Sequence, residues 1–362
     1  IRRPPRSTQS RSSAASDVYK RQELGLVLLL FLSGMDINLR TVLSSGRLLL
    51  IAAAVQYALQ VALGWLFFSL LGDQLAAGGV PAIHLAVVFA FSSTALPLKL
   101  LYDKFELDTM SGRATVGLLC AQAFIAIVVF RYFHALHHGG GLSYTVRNLF
   151  LLGGAFAAAR FVLKPLFDVT AKNPDLLVGI AVSWCALVVG AAAWAGIPRE
   201  IGALIAGSSI AAMPFAVHVR AKTATLRDLF MPLFFVSLGM QVERPSPGLP
   251  AAVLATAAFV VLSRIGATIP ALALTGAGIR TSFITGINLS QVGEWALVIA
   301  LYNRRVGFFD EGMFSIIGYT MIITMVVSSY ALRSSHRVYS CLLYTSDAAD
   351  DLLCVDLGGR RI

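Results

Sequence analysis

Glu294, Arg264 and a series of amides and hydroxyls lie inside stretches of sequence that are otherwise apolar. Residues 282–301 read SFITGINLSQVGEWALVIAL, with Asn288, Ser290, Gln291, Gly293 and Glu294 near the middle. Residues 251–273 carry Arg264 at their centre, and residues 83–101 contain Ser92, Ser93, Thr94 and then Pro97. A carboxylate, a guanidinium and neutral oxygen ligands can hold and release a small cation or a proton. A charge in the middle of a bilayer costs several kcal/mol, so it faces a partner or a wet cavity and marks an ion pathway.

The elements that must position these residues are membrane spans. The chain is 57% hydrophobic and 13% charged, whereas about 25% of residues are charged in a soluble domain. The apolar residues gather in runs near the ~20 residues that cross a hydrocarbon core. About eleven such segments follow one another: 24–37, 48–71, 83–101, 114–133, 148–166, 176–196, 200–214, 228–240, 250–273, 282–302 and 312–333. Spanning backbone must satisfy its own polar groups, so these are expected to be helices. Segments 200–214 and 228–240 are short. Short or interrupted spans point to broken helices. The polar stretch 134–147, with His134, His137 and His138 before Gly139–Gly141, reads as a loop. Gly34, Gly202, Gly207 and Gly239 are expected to let helices approach closely.

Lysines and arginines in short loops set orientation. They favour the odd-numbered connections, which are therefore expected to be cytoplasmic. Segments 83–101 and 282–302 then run in opposite directions, as inverted repeats require. Serine and threonine can also bond back to their own helix without any ligand role. That reading fits one interrupted span better than two accompanied by Arg264 and Glu294.

The two ends read differently. Residues 1–22 and 341–362 resemble translated sequencing-library adapters. One double-stranded DNA can encode IRRPPRST (1–8) on one strand and VDLGGRRI (355–362) on the other. Both ends are expected to be non-biological and to carry no fold information, leaving residues 23–340 as the membrane domain. They hold eight of the 29 basic and five of the 19 acidic residues, so the net charge of +10 falls to +7 without them. The basic N-terminus is then no argument for nucleic acid. Of the four cysteines, Cys120 and Cys185 lie in apolar spans and suit packing rather than a disulfide framework. No nucleophile–base arrangement, phosphate-binding glycine loop or metal-ligand spacing stands out. The chain is thus not expected to be an enzyme, to need a cofactor, or to hold a metal beyond a transported ion.

Five stretches carry a resemblance: FLSGMDINLR (31–40), FSSTALPLKLL (91–101), EIGALIAG (200–207), LRDLFMPLFFVSLGMQV (226–242) and NLSQVGEWALVIA (288–300). Together they resemble the monovalent cation:proton antiporter superfamily, in its Kef-type potassium/proton branch of the sodium/hydrogen exchangers. The resemblance implies an all-α polytopic membrane protein with inverted repeats and two broken, crossing helices. About eleven of thirteen spans would be present. It implies exchange of K+ or Na+ for H+, a homodimer in a cell membrane such as a bacterial inner membrane, and a cytoplasmic nucleotide-binding regulatory domain outside this chain.

One departure stands against these matches. The resembled family carries a Gln-Asp pair whose carboxylate takes cation and proton in turn; here Gln122 is followed by Ala123. Exchange needs a group that holds a proton or a cation but not both. A mid-membrane carboxylate does this, because burial favours its neutral form and a nearby cation its ionised form. Three readings stay open: a sequence error at codon 123, transfer of the role to Glu294, or a homologue that no longer couples protons and acts as an uncoupled channel or a non-transporting sensor. The expected site is lined by Thr94, Gln122, Arg264, Ser290, Gln291 and Glu294, with helix breaks at Ser92, Ser93 and Asn288. Glu294 and Arg264 are expected to act as a pair.

Overall fold

The computed structural model describes residues 47–71, 82–138, 142–170, 173–211 and 248–341, with single residues between 25 and 35 and between 213 and 240. In chain order the helices are α1 (Arg47–Leu71), α2 (Ala82–Phe89), α3 (Ala95–Asp103), α4 (Met110–His138), α5 (Leu142–Ala158), a π-helical turn (Ala159–Leu163), α6 (Lys164–Thr170), α7 (Pro174–Trp194), α8 (Arg199–Ala211), α9 (Leu249–Ala273), α10 (Ile279–Asn288), α11 (Glu294–Arg305) and α12 (Glu311–Arg333). No strand occurs among the described residues. Among the described residues, six helical stretches are long and apolar enough to cross a membrane: 47–71, 110–137, 149–170, 176–194, 249–273 and 311–333. Nine of the eleven expected spans have a helical counterpart among the described residues. Spans 24–37 and 228–240 are described only at scattered residues, and Asp36 with residues 1–22 and 342–362 lies outside the described residues.

The chain divides into two compact units, one of residues 1–44 with 123–244 and one of 45–122 with 245–362. In the first unit α8 is buried from Glu200 to Ala211. Its glycines make that burial possible. A Cβ on Gly202 would stand 2.7 Å from the Ala192 Cβ of α7, and one on Gly207 would overlap the Phe31 carbonyl oxygen and come within 2.8 Å of the Met35 amide. Gly34 faces the same contact, 2.6 Å from the Leu204 carbonyl oxygen. Gly239, expected to act likewise, has nothing among the described residues within 4 Å of an added Cβ. Gly207→Val is therefore expected to cost about 1–3 kcal/mol through forced overlap. Thermal unfolding followed by size-exclusion chromatography would read this as a lower midpoint, while Gly239→Ala should leave the midpoint unchanged.

The expected loop at 134–147 is corrected. Residues 134–138 continue α4, and His134 is buried. Phe130, Phe133 and His134 extend the buried face of α4 at helical spacing. The π-helical turn inside the expected span 148–166 has no cue in the sequence.

In the second unit α1 shows why a span can be polar inside. Its buried residues are Ala52, Ala53, Gln56, Gln60, Gly64 and Phe68, one stripe at helical spacing. Leu48, Ile51, Trp65, Leu66 and Leu70 lie on the exposed face, where lipid makes apolar side chains welcome. Helix α12 is capped at its start by Asp310, whose carboxylate accepts from the Met313 amide at 2.7 Å. Gly286 of α10 packs on α9, where an added Cβ would stand 2.9 Å from the Ile265 Cα.

Candidate ion-binding site at two broken helices

Both expected interruptions are real. Residues 90–94 separate α2 from α3, and residues 289–293 separate α10 from α11. Asn288, expected within the second break, is instead the last residue of α10. The breaks meet: the Gly293 amide donates to the Phe91 carbonyl at 2.9 Å, and the Ser92 hydroxyl donates to the Leu289 carbonyl at 2.9 Å. Gly293 permits this approach, because a Cβ there would overlap the Ser92 carbonyl and stand 2.8 Å from the Ser93 amide. Gly293→Val should therefore push the breaks apart, destabilising the protein by about 1–3 kcal/mol. Limited proteolysis near residues 90–94 should report the opened contact as faster cleavage than in wild type.

Breaking two helices exposes four helix ends, each with unsatisfied backbone groups and a partial charge. The sequence supplies charged partners for three of them. At the C-terminal end of α2, the buried Arg264 guanidinium donates to the Phe89 carbonyl at 2.8 Å and to the Ala90 carbonyl. At the N-terminal ends of α3 and α11 one carboxylate serves both. Glu294 is the first residue of α11, and its Oε1 accepts from the Thr94 hydroxyl at 2.6 Å and the Thr94 amide at 3.3 Å. Arg264 and Glu294 thus neutralise opposite helix ends. No ion pair joins them among the described residues. Each is held by the backbone dipole it complements.

The fourth end, the C-terminal end of α10, meets only neutral donors. The Ile287 carbonyl accepts from the Ser290 hydroxyl at 2.7 Å, and the Asn288 carbonyl from Gln291 Nε2 at 3.3 Å. The Gln291 amide also reaches the Ser93 carbonyl at 3.5 Å, and its Oε1 accepts from Ser328 at 2.6 Å. Asn288 Nδ2 donates to Thr115 on α4 at 3.0 Å. Negative partial charge and several carbonyl oxygens therefore gather at this end, met among the described residues only by neutral donors. Glu294, six residues on from Asn288, is 1% exposed, and its Oε2 has no hydrogen-bond partner among the described residues. It is the one buried carboxylate among the described residues of this unit.

Gln122 belongs to the same site. Its Oε1 accepts from the Ser92 amide at 3.0 Å, inside the first break. The next residue on α4, Ala123, is buried and offers only a methyl group. All nine residues singled out from the sequence lie in the second unit and on or beside the breaks. Sequence reasoning passed over Gln56, Gln60, Thr324 and Ser328. Gln56 Oε1 accepts from Gln122 Nε2 at 3.0 Å, and the Thr324 hydroxyl accepts from the Val292 amide at 3.1 Å. The available signal was polar spacing of four residues inside apolar spans: 56 and 60 on α1; 320, 324 and 328 on α12.

Two apolar spans broken at mid-length and joined through their unwound backbone are an arrangement found in secondary transporters. The chain belongs to the transmembrane sodium/hydrogen exchanger family, whose sequence profile matches residues 18–334. It is 23% identical to K(+) efflux antiporter 6 of Arabidopsis thaliana over 325 residues, covering 86% of this chain and 54% of the relative. It is likewise 23% identical to K(+) efflux antiporter 5 of Arabidopsis thaliana over 320 residues, covering 84% and 56%. The chain thus spans about half the length of these relatives. Its fold matches that of the sodium proton antiporter MjNhaP1 from Methanocaldococcus jannaschii, with a TM-score of 0.56 at 11% identity over 87% of this chain and 83% of that one. The expected all-α polytopic antiporter fold and its family are thereby established.

Proposed function

We propose that this chain is the membrane core of a secondary exchanger that moves a monovalent cation, K+ or Na+, against protons. The observation that carries the proposal is the charge balance at the breaks. Three helix ends are neutralised by Arg264 and Glu294, while the α10 end meets only the neutral donors Ser290 and Gln291. A cation seated there would be balanced by Glu294 Oε2, and a proton on that oxygen would remove the balancing charge. Binding of the two is then mutually exclusive, as exchange demands. Thr94 orients the carboxylate, Gln122 walls the first break, and Ser290 and Gln291 supply oxygens. Arg264 keeps the α2 carbonyls occupied, so the cation is directed to α10.

The names of the relatives support a K+ or Na+ substrate, and the exchanger family argues for transport rather than catalysis. Within this proposal residues 23–340 form the transport domain, and residues 1–22 and 341–362 derive from adapter sequence. The domain works as a homodimer in a cell membrane, a bacterial inner membrane by its Kef-type resemblance. It is regulated by a cytoplasmic nucleotide-binding domain outside this chain. One observation favours a second reading: the methyl of Ala123 stands where the resembled family has its carboxylate, which would leave an uncoupled leak. Purified protein in liposomes carrying a pH-sensitive dye separates the two. An exchanger acidifies or alkalinises the lumen when K+ or Na+ is added with the voltage clamped at zero. A leak moves the cation without a matching proton flux.

A further inference from the structure

Gln56 and Gln60 have no role in the charge balance above, yet both are at most 1% exposed, one turn apart on α1. The orientation of each amide can be worked out from a fixed donor. The Ser92 backbone N–H can only donate, so the group 3.0 Å from it must be Gln122 Oε1. The NH2 of Gln122 then points at Gln56, 3.0 Å away, and Gln56 must present Oε1. A flipped Gln122 would set donor against donor at Ser92 and acceptor against acceptor at Gln56. The sense of the whole relay is therefore set by one amide of the first break. Its far end is Gln56 Nε2, a buried donor without a partner. Gln60 stands apart from the relay: its Nε2 donates to the Ser263 hydroxyl at 2.7 Å.

We infer that Gln56 is a positioning residue for the exchanged cation. Acting through Gln122, it holds the Ser92 amide, so that the Ser92 carbonyl stays against Gly293 and the Ser93 carbonyl stays near Gln291. The break that faces the cation site keeps its shape because the Gln122 amide has one permitted orientation. Replacing Gln56 leaves Gln122 free to turn and the Ser92 amide without a fixed acceptor. This inference rests on the proposed exchange for its transport readout, but not for its structural one.

The test compares Gln56→Met, which matches volume without an acceptor, with Gln56→Glu, which keeps an acceptor oxygen. Gln60→Met is the control on the same helix. In proteoliposomes Gln56→Met should raise the half-saturating K+ or Na+ concentration about tenfold, the order expected when a buried hydrogen-bond partner is lost. The maximal rate should stay within about twofold. Gln56→Glu should restore the affinity, and Gln60→Met should leave it near wild type. Gln56→Met combined with Gln122→Met should be no worse than Gln122→Met alone, because both act through one chain. Additive losses, or a fall in maximal rate alone, would overturn the inference. In the same preparations, hydrogen exchange of the peptide covering residues 90–94 is read by mass spectrometry. The Ser92 amide should exchange about tenfold faster in Gln56→Met and return to wild type in Gln56→Glu. If wild-type protein moves no protons against either cation, the exchange proposal fails. The amide exchange then decides the role of Gln56: unchanged protection in Gln56→Met rejects it.

Discussion

Replacing Glu294 by Gln should abolish proton-coupled cation flux while leaving the protein folded. The carboxamide keeps an oxygen for the Thr94 hydroxyl and amide, so the bond between α3 and α11 survives. What disappears is the charge. An amide holds no proton that it can give up near neutral pH and balances no cation at the α10 end. Dye-reported exchange is expected to fall at least about a hundredfold, the scale on which a positioned proton-transfer group acts. The thermal midpoint should move little, because the buried acceptor is retained. Retention of more than half of wild-type exchange would remove Glu294 from the mechanism. Restored exchange in Ala123→Asp on a Glu294→Gln background would show that position 123 can take over the carboxylate role.

The second large effect concerns Arg264. Its guanidinium is fully buried and bonded to the last carbonyls of α2. Arg264→Met removes both donors, and each orphaned carbonyl costs about 1–3 kcal/mol. Removal of a buried charge offsets part of this. The net loss is expected to be about 2–4 kcal/mol, seen as a lower thermal midpoint. A cation-dependent signature should accompany it. With the α2 carbonyls unoccupied, a monovalent cation has a second helix end to bind, so K+ or Na+ should raise the midpoint of Arg264→Met more than that of wild type. Arg264→Lys should recover part of the stability, since an ammonium can donate to both carbonyls but lacks the planar fork. Equal cation shifts in Arg264→Met and wild type would mean that the α2 end is not a latent cation site.

Much of this was legible in the sequence because lipid makes polar residues conspicuous. The Ser-Ser-Thr run before Pro97 and the Asn–Ser–Gln run before Glu294 could not continue an apolar helix without reason, and both mark breaks. Partnership was another matter. Arg264 and Glu294 look like natural partners as the two mid-span charges, yet the three-dimensional packing puts each at a different helix end. Arg264 contacts Ala90 across 174 positions of sequence, and Glu294 contacts Thr94 across 200. Nothing in local spacing encodes those meetings. Gln56 and Gln60 were readable as a polar stripe but resemble ordinary interhelical glue until Gln122 is seen bonded to Ser92. Gly239 shows the converse, since a glycine in an apolar run carries no mark of which face it occupies.

The most direct test of the account is the null point of exchange. One carboxylate that holds either one proton or one monovalent cation implies one-for-one, electroneutral exchange. Reconstituted wild-type protein is placed between opposed cation and proton gradients, and the gradient ratio at which proton flux stops is measured at two clamped voltages. The account predicts zero flux where the cation ratio equals the proton ratio, at the same point for both voltages. A null point that moves with voltage, or proton flux indifferent to the cation gradient, would contradict it.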